Sequence, residues 1–102
     1  MEVPVIERTV FLKLNDELCN PEARRRVAEH SNQVLSAIPG VVDVHTGAAT
    51  SDTTNDWDVL LVVRFNTSDE MEQYRVHPDH RTFVDDYLRP RISAIKAWSF
   101  QT

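Results

Sequence analysis

Cysteine and glycine are nearly absent: Cys19 is the single thiol, and Gly40 and Gly47 are the only glycines among 102 residues. One cysteine forms no intrachain disulfide, so nothing in the composition calls for an oxidising compartment. Two isolated glycines cannot build a glycine-rich phosphate loop, which argues against nucleotide chemistry. No apolar run approaches the ~18 residues of a membrane-spanning helix. The start Met1-Glu2-Val3-Pro4 lacks the basic segment and following apolar stretch of an export signal. Positive charge is scarce as well. Lys plus Arg number 11 against 16 Asp plus Glu, and the net charge of -5 repels phosphate backbones and anionic lipid. The expectation is one cytoplasmic domain over residues 1–102, with neither nucleic acid nor membrane as a partner.

What is present alternates between strand and helix patterns. Residues 5 to 14 read as a strand, with Arg8, Val10, Leu12 and Leu14 on one face and Thr9, Phe11 and Lys13 on the other. Asn20-Pro21-Glu22 starts a helix, because it supplies a capping side chain, a proline at the first helical position and an acid in the first turn. That helix runs to about Ile38 with Val27, Ser31, Val34, Leu35 and Ile38 as its inward stripe, and Pro39-Gly40 stops it. Val41 to Ala48 reads as a second strand, Thr50 to Asp56 as a polar turn, and Trp57 to Phe65 as a third strand. The third is apolar on both faces, so both faces need cover. Asn66-Thr67-Ser68 with Asp69 and Glu70 opens a helix ending near His77. Pro78 opens another to about Arg89, and Ile92 to Phe100 is the last strand, with Ala94, Lys96, Trp98 and Phe100 on one side.

The order βαββαβ predicts an α+β, ferredoxin-like protomer: a four-stranded antiparallel sheet with helices on one face. The bare sheet face is expected to pack against a second copy, giving a symmetric homodimer.

Chemistry concentrates in His77-Pro78-Asp79-His80, just after Tyr74. Proline turns its predecessor away from the α region, so the helix breaks here and His80 falls in the first turn of the next one. The positive end of that helix disfavours imidazolium, leaving His80 neutral near pH 7 and able to act as a general base. A purely structural role is also open, with His77 capping the helix and His80 packing beside it. The remaining signals are weaker. His30 is expected to be solvated, and Arg24-Arg25-Arg26 to form a solvated face paired with Glu22 and Glu29. His45 reads as a partly exposed strand residue, and Cys19 as an inert loop thiol. His77 and His80 lack the further ligands a metal needs, so neither metal nor cofactor is expected.

The segments Val10-Phe11-Leu12-Lys13-Leu14, Ile38-Pro39-Gly40-Val41, Asp58 to Phe65, and Tyr74 through His80 followed by Phe83 resemble the stress-responsive A/B barrel (Dabb) family over nearly the whole chain. The resemblance implies a dimeric α+β barrel of two ferredoxin-like protomers. Function in the family is mixed and includes a plant polyketide cyclase, whose catalytic histidine and tyrosine correspond to His80 and Tyr74. Arg8, Val59 and Ser99 stand where that cyclase carries two histidines and an aspartate.

On this likeness, His80 would take a proton α to a carbonyl while the Tyr74 hydroxyl holds the enolate oxygen. Arg8 would add positive charge for a carboxylate or enolate. His77, Val10, Leu12, Phe83, Tyr87 and Trp98 complete the expected binding site for a small hydrophobic carbonyl compound. The first functional expectation is a cofactor-independent cyclase or lyase. Its rivals are a non-catalytic dimer that binds a small ligand or serves in stress response and, by fold analogy alone, a cofactor-free monooxygenase. An open cavity of a few hundred cubic ångströms into which His80 and Tyr74 point would favour the enzyme, and a filled one the binding protein.

Overall fold

The computed structural model describes residues 5–50 and 57–102. The elements are β1 (Ile6–Leu14), a 3-10 turn (Asp16–Leu18), α1 (Pro21–Ser36), β2 (Asp43–Ala48), β3 (Val59–Phe65), α2 (Ser68–Val76), α3 (Pro78–Thr82), a π-helical segment (Phe83–Leu88) and β4 (Ile92–Gln101). The βαββαβ order read from the sequence is present. Met1 to Pro4, and all but the first residue of the expected polar turn from Thr50 to Asp56, lie outside the described residues.

Local chemistry sets the helix boundaries. The Asn20 side chain accepts the Ala23 N–H at 2.8 Å and Pro21 fills the first helical position of α1; such a cap stabilises a helix by about 1 kcal/mol. Gly40, with φ of 91°, provides the left-handed residue that turns the chain toward β2. The Thr67 hydroxyl accepts the Glu70 N–H at 3.1 Å and starts α2.

The sheet is antiparallel in the order β2-β3-β1-β4. Pairing sets Val10 between Leu61 of β3 and Ala97 of β4, and Arg8 between Val63 and Ser99. This is the face the helices cover: α1 lies on β2 and β3, and α2 on β3. Val59, Leu61, Val63 and Phe65 are buried beneath them, each worth about 1.5–3 kcal/mol of transfer free energy where burial is complete. The opposite face is uncovered and carries an aromatic group. Phe11 packs edge-on to Trp98 at 5.7 Å between ring centroids and tilted on Trp57 at 6.0 Å. Trp98 and Phe100 remain 44% and 52% exposed there. No helix among the described residues is long and apolar enough to cross a membrane.

Two expectations need correction. Arg25 and Arg26 do form exposed pairs with Glu29 and Glu22, but Arg24 is fully buried and its Nε donates to Asp58 Oδ1 at 2.8 Å. Helical periodicity puts Arg24 on the inward stripe with Val27, Ala28 and Ser31. His30 is not simply solvated, because its ring stacks on Tyr87 with centroids 4.0 Å apart.

Candidate functional site

Pro78 restricts His77 to extended backbone, with φ of -63° and ψ of 137°, and so separates α2 from α3. The Nδ1 of His77 accepts the Asp79 N–H at 3.1 Å, which makes His77 the cap of α3. The break turns α3 back on α2. The His80 ring lands on the Tyr74 ring, with centroids 4.4 Å apart and planes at 47°. Its Nδ1 comes 3.1 Å from the Arg75 carbonyl oxygen in the last turn of α2. A carbonyl can only accept, so in the neutral ring Nδ1 carries the proton and Nε2 keeps the lone pair.

Burial is the main cause that lowers the His80 pKa below its ordinary value. The hydrogen bond to the Arg75 carbonyl opposes that shift, while the charges of Arg8, Arg81 and Arg75 add to it. Desolvation and the neighbouring guanidinium groups therefore favour the neutral ring expected from the sequence.

Tyr74 is 3% exposed, and Phe65 meets its ring edge-on at 4.9 Å. Burial pushes its phenol far above the usual range, against a smaller opposing effect of the Arg8 charge, so the hydroxyl is a hydrogen-bond donor at every physiological pH. Arg8 sits on β1 directly opposite Ser99 of β4, and its Nη1 donates to the Ser99 hydroxyl at 3.0 Å. That hydroxyl in turn donates to Met71 Sδ at 3.4 Å. Burial, followed by repulsion from Arg75, lowers the Arg8 pKa below its ordinary value, while Tyr74 and Glu72 offset part of the shift. The guanidinium remains cationic at neutral pH.

Between the sheet and the α2–α3 arm lies a cavity of about 360 Å³. Five of the residues expected there line it: Arg8, Val10, Tyr74, His80 and Phe83. Leu61, Val63 and Leu88 make much of its apolar wall, and Arg75, Arg81 and Arg89 bring further positive charge.

Four expected binding residues lie elsewhere. Leu12 is 0% exposed in the core, and His77 is spent as a helix cap. Tyr87 lines a separate groove beside His30, with the Arg91 guanidinium 4.0 Å from its ring centroid. Trp98 pairs with Thr9 and therefore points to the bare face with Phe11. Its neighbours Ala97 and Ile95, which sequence reasoning passed over, take the cavity side. Strand alternation held the signal for them, since Ile95, Ala97 and Ser99 interleave with Trp98. Among the described residues no group of three or more His, Cys, Asp or Glu is placed to hold a metal ion.

A family model described as the stress responsive A/B barrel domain matches residues 6–101. Among solved structures, the chain is similar to a dabb family protein with a ferredoxin-like fold from Mesorhizobium loti, at 25% identity over 95% of each chain and a TM-score of 0.77. It is similar also to a dimeric ferredoxin-like protein of unknown function from Thermobifida fusca, at 22% identity over 100% of this chain and 94% of that one, with a TM-score of 0.78. A third likeness is to the hydroxynitrile lyase from Passiflora edulis, at 10% identity over 99% and 95% of the two chains and a TM-score of 0.77. No curated protein matches the chain.

Proposed function

Because the chain belongs to the stress responsive A/B barrel family, we propose that it is a cofactor-independent enzyme of cyclase or lyase type, moving a proton on a small hydrophobic carbonyl compound and working as a homodimer. The observation that carries this reading is the hydrogen bond from His80 Nδ1 to the Arg75 carbonyl at 3.1 Å. It leaves Nε2 as a free base on a ring that lines a cavity of about 360 Å³, beside a tyrosine whose hydroxyl keeps its proton to donate.

In the reaction, Nε2 removes the proton α to the carbonyl and the electron pair moves onto the carbonyl oxygen. Tyr74 donates its hydroxyl hydrogen to that oxygen, and Arg8 adds positive charge nearby. The enolate then attacks a second carbonyl of the same molecule, and the His80 imidazolium returns the proton to the new alkoxide. Run in reverse, the same groups break a carbon–carbon bond next to a hydroxyl. A merely ligand-binding dimer would need the cavity but not a half-buried, neutral histidine on its wall. The open aromatic face around Phe11, Trp98 and Phe100 supports the dimer, as does the description of the Thermobifida fusca neighbour as dimeric.

Deuterium exchange tests the proton-transfer step before a natural substrate is known. Small ketones such as phenylacetone are incubated with the protein in D2O, and loss of the α-hydrogen signal is followed by NMR. The wild type should exceed the His80→Ala variant by about 10²-fold or more. Equal rates across a panel of ketones, with both proteins folded, would contradict the proposal.

A further inference from the structure

We propose that the cavity ligand is an oxo acid, whose carboxylate is held by Arg8 while its carbonyl faces Tyr74 and His80. The carbonyl half rests on the catalytic reading above; the anion half follows from charge alone. Four arginines line the cavity against two carboxylates. Both carboxylates are engaged, Glu72 by Arg75 at 3.1 Å and Asp85 by Arg89 at 3.2 Å. Arg8 and Arg81 have no carboxylate partner among the described residues. A chain of net charge -5 thus gathers an excess of positive charge around the cavity between its sheet and the α2–α3 arm.

Arg8 is the more informative of the two. It is half-buried, it stands on a strand paired on both sides, and its one hydrogen bond goes to the neutral Ser99 hydroxyl. The rest of its planar fork is unused among the described residues. A partly desolvated guanidinium in that state has no carboxylate in direct contact among the described residues, since the Glu72 charge that acts on it is held by Arg75, and a ligand carboxylate matches its fork with two parallel hydrogen bonds. The charge of Arg8 also bears on both the Tyr74 hydroxyl and the His80 ring. A carboxylate anchored there therefore keeps a carbonyl only a few bonds away within reach of the base. Leu61, Val63 and Leu88 give the cavity an apolar wall for an alkyl or aryl group.

Calorimetric titration of the wild-type protein with 4-oxo-4-phenylbutanoate and with its methyl ester is the test, because the two ligands differ in charge and little else. The acid should bind tighter by about tenfold or more, and added sodium chloride should erode its advantage. Arg8→Gln should remove the preference while leaving ester binding in place. Equal affinity of acid and ester for the wild type overturns the proposal without recourse to any variant, and so does an undiminished preference in Arg8→Gln. His80→Ala separates this inference from the catalytic one. It should keep the preference for the acid, so ketone exchange that does not depend on His80 would sink the catalytic reading alone. Exchange that does depend on His80, together with equal acid and ester affinities, would sink the oxo-acid reading alone.

Discussion

Replacing Arg24 by leucine should be among the costliest single changes in this protein. Its side chain is 1% exposed and that of Asp58 is 0% exposed, with Nε and Oδ1 2.8 Å apart. The other carboxylate oxygen accepts the Leu14 N–H at 2.8 Å and lies 3.8 Å from Lys13 Nζ. The pair therefore ties the start of α1 to the end of β1 and the approach to β3. Arg24→Leu removes the strongest partner of a buried carboxylate, which costs about 3–5 kcal/mol. At about 4–8 °C per kcal/mol for a domain of this size, Tm should fall by roughly 12 °C or more. The Asp58→Leu change takes the carboxylate from the Arg24 guanidinium instead and should also destabilise the fold. The double variant Arg24→Leu, Asp58→Leu should recover much of the loss, since a buried pair gains little over apolar residues that fill its space. Urea melts followed by circular dichroism give the three differences. The reasoning is refuted if Arg24→Leu lies within about 1 kcal/mol of the wild type, or if the double variant loses the full sum of the singles.

Three further outcomes follow from the site and the bare face. Because burial lowers the His80 pKa, kcat/KM should be low where the ring is protonated and rise with pH through a value below 6.5. It should then stay level past pH 10, because burial moves the Tyr74 phenol upward; a fall between pH 7 and 9 would speak against these roles. Tyr74→Phe removes one hydrogen bond to the enolate and leaves the base, so steady-state rates should drop by about tenfold, less than in His80→Ala. Val62→Lys places a charge on the bare face and should dissociate the dimer in light scattering, whereas Leu61→Lys, under the helices, should unfold the protomer.

Strand alternation and helix caps made most of the fold legible in the sequence: the Asn20 cap, the Pro78 break and the faces of β1 appear where the residues put them. The failures share a cause, which is that pattern reveals faces but not what covers them. Trp98 was correctly grouped with Ala94, Lys96 and Phe100, yet only the packing of α1 and α2 decides that this group looks away from the cavity. Arg24 was hidden inside a run of three arginines, and its partner Asp58 lies 34 positions along the chain. Tyr87 was misplaced because the helix after Thr82 is π-helical. Its wider turn brings Phe83 and Leu88, five apart, to the buried side, and leaves Tyr87 for the outer groove. The dyad itself was readable from Tyr74 and the His-Pro-Asp-His break. The half-buried Arg8 beside it needed the β1–β4 register to be placed.

The most direct test of the account is the protonation state of His80 in the resting protein, which requires no substrate. Long-range proton–nitrogen NMR on uniformly labelled protein reports which ring nitrogen carries hydrogen and how that changes with pH. The account predicts a neutral ring at pH 7 with hydrogen on Nδ1 and the lone pair on Nε2, titrating below 6.5. An imidazolium at pH 7, or a neutral ring with its hydrogen on Nε2, would contradict it, because Nε2 would then hold no lone pair to act as the base.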